Sequence, residues 1–528
     1  MLLFSYAPVV KWISRDASDV VFRVQILTGA HIAMSNKAKI EKFEIPKEVS
    51  RVTKTLKDAN FEAYLVGGCV RDLFMGRKPK DWDIATNATP EEIIPLFPKT
   101  FYENDYGTVG VVNEDASQET LKVVEVTPYR LEGAYSDHRR PDSVHFSDNI
   151  LDDLKRRDFT VNAIAYDAET GEIIDPFFGI ADLARGVIKT VGDPKERFFE
   201  DGLRIIRAIR FHVELNFLID LDTEKAILEN AHILGDISKE RIRDEFIKII
   251  MSKNPRNGLL LIKKLGLMRY IIKELENTYD IEQNKAHSFD VWNHLLKTVQ
   301  HSADKNYLLH VRLAALLHDI SKPETRRRDN ENNQWTFYGH EVVGSRVTNR
   351  ILENLKFSRE TIDKVVNLVR WHMFFSDTEK ITHSAVRRLI ANVGKENVWD
   401  LINVRLCDRI GTGRPKENPY RLRKFQAMID EVISDPVSVS MLKINGNTIM
   451  KTLGIQPGPK IGQILNALLE EVLDDPALNT ETYLENRALE MSKLSDGELR
   501  ALGEKGKEKK ELQQEMQTKE IRGRHFVE

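Results

Sequence analysis

The pattern of apolar and polar positions changes its period near residue 190. Between residues 61 and 190, short apolar runs alternate with helical segments and turns, which predicts a domain built on a mixed β-sheet. Beyond Asp193, apolar residues recur at i, i+3 and i+4, which predicts a chain that stays helical. We therefore expect an α+β protein, with an N-terminal mixed-sheet head followed by an elongated all-α region. The predicted strands are AYLVGG, DWDIAT, TVGVVN, LKVVEVTPY, NAIAYD, GEIIDPF and GVIKTVG.

Three segments depart from these two patterns. Residues 131–155 are polar and poor in periodicity, which predicts a mobile loop beside the candidate site described next. Residues from about 493 to 528 are dense in Lys and Glu, which predicts a solvated helix or a disordered tail. Residues 1–33 lack the features of a signal peptide, and the sequence from Met34 is an ordinary cytosolic N-terminus. We therefore expect translation to start at Met34.

The stretch Tyr64–Thr86 combines a glycine pair with a pair of carboxylates. Gly67 and Gly68 follow a predicted strand, and their backbone N–H groups can approach a phosphate at a helix N-terminus. Asp81 and Asp83 lie either side of Trp82 on a second predicted strand, so they are expected to project to the same face. Adjacent carboxylates suit Mg²⁺, which prefers hard oxygen ligands and keeps positions open for phosphates. The stretch therefore predicts metal-assisted phosphoryl or nucleotidyl transfer.

The motif LVGGCVRD…KDWDIAT resembles the first motif of the nucleotidyltransferase superfamily that includes DNA polymerase β. More closely, it is similar to the class II tRNA nucleotidyltransferases, or CCA-adding enzymes, and to bacterial poly(A) polymerases. The resemblance covers roughly residues 46–490. It implies that Asp81 and Asp83 hold two Mg²⁺ ions. It also implies nucleotide binding by Gly67, Gly68, Arg71 and Asp72.

A third carboxylate, Glu125, lies in the predicted strand KVVEVTPYR with Val123 and Thr127 on the same face. Beside the aspartate pair it would complete a two-metal site. A surface glutamate on an edge strand is the alternative. The resemblance, through the pattern E-V-T-x-x-R, implies that Glu125 supports the catalytic pair.

The segment RRDFTVNAIAY matches a second motif of the resembled family, R-R-D-F-x-x-N-A. The resemblance implies that Arg157, Asp158 and Asn162 bind the sugar and the triphosphate. A planar guanidinium can grip phosphate with two parallel hydrogen bonds, and a carboxylate can accept from a ribose hydroxyl. An ordinary surface ion pair is the alternative.

The segment Glu196–Phe211 matches the family pattern E-D-x-x-R-x-x-R. On one helix, Asp201 and Arg204 would be neighbours at i and i+3, either as a plain salt bridge or as a base-selecting pair. A carboxylate beside a guanidinium complements the amino group and ring nitrogen of cytosine and adenine, and it leaves uracil and guanine unpaired. The resemblance makes this pair a protein template, with Glu200 and Arg207 holding it in place. A later motif, SKERIRDEF, is expected to buttress this helix through Arg241, Arg243 and Glu245.

Farther along, separated helical segments each offer His or Asp, including an adjacent His-Asp pair. Imidazole and carboxylate together suit divalent transition metals. This region looks like an HD phosphohydrolase domain, although Ser321 stands where that family usually shows glycine; serine is small, so we expect the turn to survive. By resemblance, its substrates are 2′,3′-cyclic phosphates or phosphates at RNA ends. The resemblance implies a metal set of His294, His318, Asp319 and Asp408, with His340 and His372 for a second ion or a phosphate.

The segment INGNTIMKTLGIQPGPKIGQIL resembles the tail region of HD-bearing CCA-adding enzymes. Lys451 and Lys460 are candidates for contacts with tRNA phosphates. A plain helix–turn–helix connection is the alternative.

Composition narrows the picture further. A chain of 528 residues with 41% hydrophobic and 30% charged residues is typical of a soluble cytosolic protein with several domains, and we expect it in the cytoplasm away from membranes. Two cysteines, Cys69 and Cys407, exclude a disulfide scaffold and a cysteine zinc cluster. Because the formal net charge is −3, any RNA-binding surface must be a local basic patch.

The expected organisation is an N-terminal extension over 1–45, a nucleotidyltransferase head over 46–190 and a helical neck over 191–280. An HD domain over 281–430, a helical body and tail over 431–495 and a charged tail over 496–528 follow. The expected function is template-independent addition of C and A to the 3′ end of tRNA from CTP and ATP, with release of pyrophosphate. An A-adding or CC-adding specialist, a poly(A) polymerase, an RNA-end phosphohydrolase and an RNA-binding scaffold remain alternatives.

Overall fold

The computed structural model describes residues 37–39, 42–102, 107–132, 144–283, 288–329, 333–374, 381–495, 497–499 and 502. The expected start at Met34 and most of the charged tail lie outside these residues. The chain divides into two compact units, Met1–Ile271 and Ile272–Glu528. Among the helices of the described residues, none is both long enough and apolar enough to cross a membrane.

The first unit contains an eight-stranded mixed sheet, in the order β1-β10-β9-β2-β3-β6-β5-β4. β3 and β6 are parallel, and the other neighbours in the sheet are antiparallel. The strands of this sheet are β1 (Lys37–Lys39), β2 (Tyr64–Val66), β3 (Asp83–Thr86), β4 (Thr100–Tyr102), β5 (Val109–Val112), β6 (Val123–Pro128), β9 (Ala165–Tyr166) and β10 (Glu172–Ile174). Two smaller sheets pair β7 (Arg130–Glu132) with β8 (Val144–Phe146) and β11 (Val187–Ile188) with β12 (Leu218–Ile219). The predicted mixed sheet is confirmed, although GVIKTVG contributes to a separate sheet.

Helices cover the sheet and then continue the unit. They are α1 (Lys47–Asp58), α2 (Gly68–Phe74), α3 (Pro90–Ile93), α4 (Ile150–Lys155), α5 (Gly179–Arg185), α6 (Pro194–Glu200), α7 (Leu203–Leu215), α8 (Leu221–Asn230), α9 (Lys239–Met251), α10 (Pro255–Lys264) and α11 (Met268–Ile271). The helical periodicity after Asp193 is therefore confirmed.

Alternation along the strands gives the sheet two apolar faces. Leu65 and Ile84 belong to a core that includes buried residues of α1 and α2. Val66 and Ala85 point to the opposite face, where Leu154 of α4 completes a second core. Both faces of the central strands are thus buried, and this fixes the ends of β2 and β3 rigidly.

The expected loop over residues 131–155 is wrong for its described part. β7 pairs with β8 in register, and α4 follows, with the Asn149 side chain accepting the Leu151 N–H at its N-terminus. The physical reason is that two apolar side chains spaced one helical turn apart, Ile150 and Leu154, are buried under the sheet. Residues 133–143 lie outside the described part.

The second unit is helical except for one hairpin in its described part. Its elements are α12 (Val291–Asp304), α13 (Leu309–Leu317), α14 (Lys322–Thr325), β13 (Arg327–Asp329), β14 (Gln334–Thr336), α15 (His340–Asn354), α16 (Arg359–Trp371), α17 (His383–Val393), α18 (Val398–Gly411), α19 (Tyr420–Val432), α20 (Gly446–Leu453), α21 (Pro459–Asp474) and α22 (Glu481–Met491). Separate apolar clusters lie within α17–α19 and within α20–α22.

Candidate active site and metal centre

The glycine turn lies where β2 ends and α2 begins. Gly67 has φ +75°, in the left-handed region that favours glycine. A Cβ atom there would lie 2.9 Å from Nη1 of Arg157 and 3.2 Å from Oδ2 of Asp83. The absence of a side chain thus lets a cationic and an anionic group approach the same backbone turn.

The carboxylates are arranged by the pairing of β3 with β6. Asp83 is directly opposite Glu125 in the parallel register, so both half-buried side chains share one face of the sheet. The expectation that Asp81 also lies on the strand is wrong, because β3 begins at Asp83 and Asp81 is an exposed residue in a bend. The chain joins the sheet at Trp82, whose carbonyl accepts the Glu125 N–H at 3.0 Å. Asp81 and Asp83 nevertheless line the same cleft.

This cleft has a volume of about 1400 Å³ and lies within the first unit. Thirteen lysine and arginine side chains line it, against six carboxylates, so it favours a polyanionic ligand. Glu125 and Glu200 are not among its lining residues. The predicted nucleotide-binding residues that do line it are Gly67, Gly68, Arg71, Asp72, Arg157, Asp158, Asn162, Asp201, Arg204 and Arg207.

A buried aspartate that the motif analysis missed holds the two arginines of the R-R-D motif. Asp153 of α4 has no exposed side-chain surface and accepts from Nε of Arg156 at 2.9 Å and from Nη2 of Arg157 at 2.8 Å. Burial acts to raise the pKa of Asp153, but the two guanidinium groups keep it below its usual value. The signal was present as the spacing i, i+3 and i+4 in DDLKRR.

Asp158 is held in the ionised state inside the cleft wall. Its Oδ1 accepts from the Phe159 N–H at 2.8 Å and from Nδ2 of Asn162 at 3.2 Å, and its Oδ2 accepts from Nε of Arg207 at 2.8 Å. Burial opposes ionisation, but Arg207 and these donors lower the pKa of Asp158 to about 2. Asn162 in turn accepts from Nη1 of Arg71 at 2.8 Å, which links the first and second motifs.

The expected helical pair of Asp201 and Arg204 is wrong in its geometry. α6 ends at Glu200, Asp201 is extended with φ −140°, and α7 begins at Leu203. Gly202 lies in the break because a Cβ there would lie 2.6 Å from Cγ2 of Ile233. The Asp201 carboxylate accepts the Leu203 N–H at 3.0 Å, so Asp201 contacts the first N–H of α7 from outside the helix.

The charged partners in this region agree with the expectation for Arg241 and Glu200 and differ from it for Arg207. Asp201 pairs with Arg241 of α9 at 2.8 Å. Arg204 donates to Oε2 of Glu200 at 2.6 Å and to two backbone carbonyls. Glu200 therefore holds Arg204 as expected, whereas Arg207 holds Asp158 and not this pair. Asp201 and Arg204 still line one cleft.

The second unit gathers four histidines and two aspartates into one buried cluster. Nε2 of His294 lies 3.0 Å from Nε2 of His318, 3.2 Å from Oδ2 of Asp319 and 3.4 Å from Oδ1 of Asp408. Nε2 of His340 lies 3.2 Å from Oδ1 of Asp319. Two overlapping groups can hold an ion, the first with His294, His318 and Asp408 and the second with His318, Asp319 and His372.

The protonation pattern of the cluster fits a metal ion. The Nδ1 atoms of His318, His340 and His372 each lie within 3.0 Å of a backbone carbonyl, which can only accept. Each Nδ1 therefore carries the proton, and each Nε2 presents a lone pair toward the centre. Lone pairs and carboxylates that converge in a buried space repel one another unless a cation lies among them. The six side chains therefore have the donor set of a divalent metal centre.

Three further residues complete the surroundings of the cluster. Lys322 was missed; its Nζ lies 2.6 Å from Oδ2 of Asp319, and the sequence signal was its position three residues after that aspartate. Ser321 replaces the expected glycine without disturbing the turn, and its Oγ donates to the His340 carbonyl at 2.6 Å. Burial raises the pKa of Asp408, but Arg405 at 2.7 Å and the histidines lower it far below its usual value.

Sequence models of three families match the chain. The family described as "Poly A polymerase head domain" matches residues 63–189, "Probable RNA and SrmB- binding site of polymerase A" matches residues 216–278, and "HD domain" matches residues 284–411. The CCA-adding enzyme of Ligilactobacillus salivarius (strain UCC118) is 31% identical over 444 residues, which cover 83% of this chain and 96% of that protein. The chain belongs to the CCA-adding enzyme family.

Other members of the family agree with this assignment. The CCA-adding enzyme of Lactiplantibacillus plantarum is 32% identical over 437 residues, covering 82% of this chain and 93% of that protein. The crystal structure of the Bacillus stearothermophilus CCA-adding enzyme in complex with CTP has a TM-score of 0.64 and 28% identity, covering 85% of this chain and 98% of that one. A Thermotoga maritima CCA-adding enzyme complexed with tRNA, at 20% identity and a TM-score of 0.51, shows a shared fold.

The two lysines expected at the tRNA surface of this family member differ from each other. Lys451 is exposed in the last turn of α20. Nζ of Lys460 donates to the Ser492 carbonyl at 2.8 Å and to the Leu494 carbonyl at 3.3 Å. The Lys460 ammonium thus ties α21 to the end of α22, and Lys451 is the better candidate for a phosphate contact.

Proposed function

We infer that the protein adds C and A nucleotides to the 3′ end of tRNA without a nucleic-acid template, using CTP and ATP and releasing pyrophosphate. The observation that carries this is the convergence of Asp83 and Arg157 on the Gly67 turn in a cationic cleft. The membership in the CCA-adding enzyme family supports it.

The side chains of the cleft divide the work of the reaction. Asp81 and Asp83 would hold Mg²⁺, with Glu125 beside Asp83 on the sheet face. When bound, Mg²⁺ lowers the pKa of the attacking 3′-hydroxyl and neutralises charge on the departing pyrophosphate. Arg157 lies against the Gly67 turn, where the backbone can approach a triphosphate. Because Asp153 already fixes this guanidinium, little side-chain entropy is lost when a nucleotide binds.

For base selection, Arg204 and Asp201 form the part of the cleft that recognises cytosine and adenine. Arg241 holds the Asp201 carboxylate, which can accept hydrogen bonds from a base, and Glu200 holds the Arg204 guanidinium, which can donate them. A fixed carboxylate and a fixed guanidinium leave uracil and guanine with unpaired polar groups. Arg204→Ala should therefore reduce discrimination against UTP and GTP by about tenfold or more, measured as ratios of kcat/KM. Arg185→Ala, at an exposed residue outside the cleft, is the matched control; equal weakening for all four nucleotides by Arg204→Ala would contradict the selecting role.

One assay tests the whole activity and its alternatives. tRNA transcripts that end at the discriminator base, at C and at CC are incubated with each nucleotide singly. Full CCA addition extends the first two with CTP and the third with ATP and then stops. Extension of the CC transcript alone would instead mark an A-adding specialist, addition of C without A a CC-adding one, and continued A addition a poly(A) polymerase.

We propose a second activity for the His/Asp cluster, a metal-dependent phosphohydrolase acting on RNA ends. The favouring observation is that two overlapping groups of buried His and Asp side chains share His318 and can each hold an ion, with the Lys322 ammonium beside Asp319 for phosphate charge. Release of phosphate from RNA with a 3′-phosphate or a 2′,3′-cyclic phosphate tests it. His318→Ala should abolish release, and Asp83→Asn should leave it intact. No release with any added divalent metal would contradict the proposal.

We propose that the enzyme works in the cytoplasm. We also propose that the exposed Lys451 contacts phosphates of the bound tRNA. Lys451→Ala should weaken tRNA binding several-fold and reduce its salt dependence. An unchanged affinity in a filter-binding titration would remove Lys451 from the tRNA surface.

A further inference from the structure

The hairpin of the second unit carries a cluster of arginines around an aromatic ring. β13 and β14 pair so that Arg328 lies directly opposite Trp335. The guanidinium carbon of Arg326 lies 3.6 Å from the centroid of the indole, and that of Arg328 lies 5.3 Å from it. Cation–π contact with tryptophan therefore orients two guanidinium groups on one surface.

These arginines have little anionic compensation within the described residues. Arg327 and Arg328 donate hydrogen bonds to neutral oxygens there. For Arg326, the carboxylate contact is a long one, 3.9 Å to Oε2 of Glu282. Its Nε is buried and has no hydrogen-bond partner. Consecutive like charges repel, and an orphan buried donor is costly, so this surface is suited to an anion from outside the unit.

The hairpin is joined directly to the His/Asp cluster. Lys322, the first residue of α14, contacts Asp319 and lies with its Nζ 5.5 Å from the ring of Phe337. The Phe337 carbonyl accepts from Nδ1 of His340 at 2.7 Å. In the chain between Phe337 and His340, the side chain of Tyr338 is 66% exposed. A linear ligand that runs along the hairpin toward Tyr338 therefore ends beside the His/Asp cluster.

We propose that the β13–β14 hairpin binds single-stranded RNA and directs its phosphorylated 3′ end to the His/Asp cluster. Arg326 and Arg328 contact phosphates through guanidinium edges that Trp335 holds in position. The exposed ring of Tyr338 stacks on a base, which is available in an unpaired strand and not in a helix. The inference deepens the phosphohydrolase proposed above and rests on it for the fate of the bound end, but binding itself does not require hydrolysis.

The test is a binding measurement on the full chain. The probe is a fluorescently labelled single-stranded RNA with a 3′-phosphate, titrated by anisotropy over a series of salt concentrations without added metal. R326A/R328A should lower the affinity about tenfold and reduce the slope of log K against log salt by about 1.4, since each phosphate contact in a single strand contributes about 0.7. Tyr338→Ala should also lower the affinity, by about tenfold, with an unchanged slope.

Controls separate binding from folding. R326K/R328K keeps the charge, and it should keep the salt slope. Arg359→Ala, at an exposed arginine elsewhere in the unit, should change neither affinity nor slope. Equal unfolding temperatures of the variants establish that the fold is intact.

Three results would overturn the proposal. The first is an affinity and slope for R326A/R328A equal to those of the parent chain. The second is equal binding of RNA with a 3′-hydroxyl, which would remove the direction of the end to the cluster. The third is an acidic peptide that competes as well as RNA. The hairpin variants should add C and A to tRNA as the parent chain does. A failure of the parent chain itself to add nucleotides would count against the function proposed for the head and not against binding by the hairpin.

Discussion

The head cleft and the His/Asp cluster are the two sites for which phosphate chemistry is proposed, and they stabilise their charged groups in opposite ways. The cleft is open, at about 1400 Å³, and its arginines are largely paired with aspartates of the same unit. The cluster is closed, and the donor atoms of its histidines and aspartates face one another at 3.0–3.8 Å.

The difference reflects the size and charge of what each region holds. A nucleotide and an RNA end must enter and leave the proposed site, so its guanidinium groups are fixed by carboxylate partners while the cleft itself stays open. A metal ion is small and stays, so burial of its ligands strengthens the interaction. Asp153 illustrates the first solution, and the Nε2 lone pairs of His318 and His340 illustrate the second.

The largest expected effect separates the two regions by function. Asp83→Asn should lower nucleotide addition at least about a thousandfold, because it removes a charged ligand from the phosphoryl-transfer centre. Incorporation of labelled CTP and ATP into tRNA measures it. Asp58→Asn, at an exposed residue of α1, is the control and should keep full activity. Near-normal incorporation by Asp83→Asn would show that the carboxylates of the head are not its catalytic centre.

A smaller effect tests whether the cleft depends on prior pairing of its arginines. Asp153→Asn should raise KM for CTP and ATP about tenfold or more and should destabilise the head by about 3 kcal/mol, because two guanidinium groups lose their buried partner. Steady-state kinetics and denaturant unfolding measure the two quantities. If stability falls while KM and kcat stay constant, Asp153 is purely structural.

A third prediction tests whether the buried His/Asp cluster binds a metal ion. Added divalent transition metal should raise the unfolding temperature of the parent chain by several degrees, because it binds the folded state and not the unfolded one. His294→Ala should lose most of this shift, whereas His383→Ala, at an exposed histidine outside the cluster, should retain it. A chain without any metal-dependent shift would contradict the metal centre. Calorimetric unfolding with and without chelator provides the measurement.

The smallest effect concerns pH. The pKa of Asp158 is about 2 in the folded chain, below its ordinary value of 3.8, so its ionisation contributes stability above about pH 4 that is lost as the pH falls toward 2. The contribution is about 2 kcal/mol. Asp158→Asn should therefore be less stable than the parent at neutral pH, and the difference should shrink on acidification. If the stability difference were constant with pH, the pairing with Arg207 would not be what lowers the pKa of Asp158 in the folded chain.

Prediction from sequence succeeded where a short stretch decides the outcome. The Gly67–Gly68 turn and the helical periodicity after Asp193 follow from local spacing. The shared face of Asp83 and Glu125 instead depends on the pairing of β3 with β6, two strands that are distant in the sequence. The charged partners were harder to predict. Asp201 and Arg204 have the spacing of a helical pair, but Gly202 and the crowding by Ile233 break the helix between them.

The sequence by itself determined the α+β class, the family and the chemical groups of both sites, because motifs and periodicity are local properties of the chain. Tertiary structure alone decided which guanidinium pairs with which carboxylate, as with Asp153, Asp201 and Arg241. It also decided that histidines from separate helical segments meet in one buried cluster, with two overlapping groups that can hold an ion. The reason is physical: an ion pair or a metal centre depends on distances of about 3 Å between atoms, and packing of distant elements sets those distances.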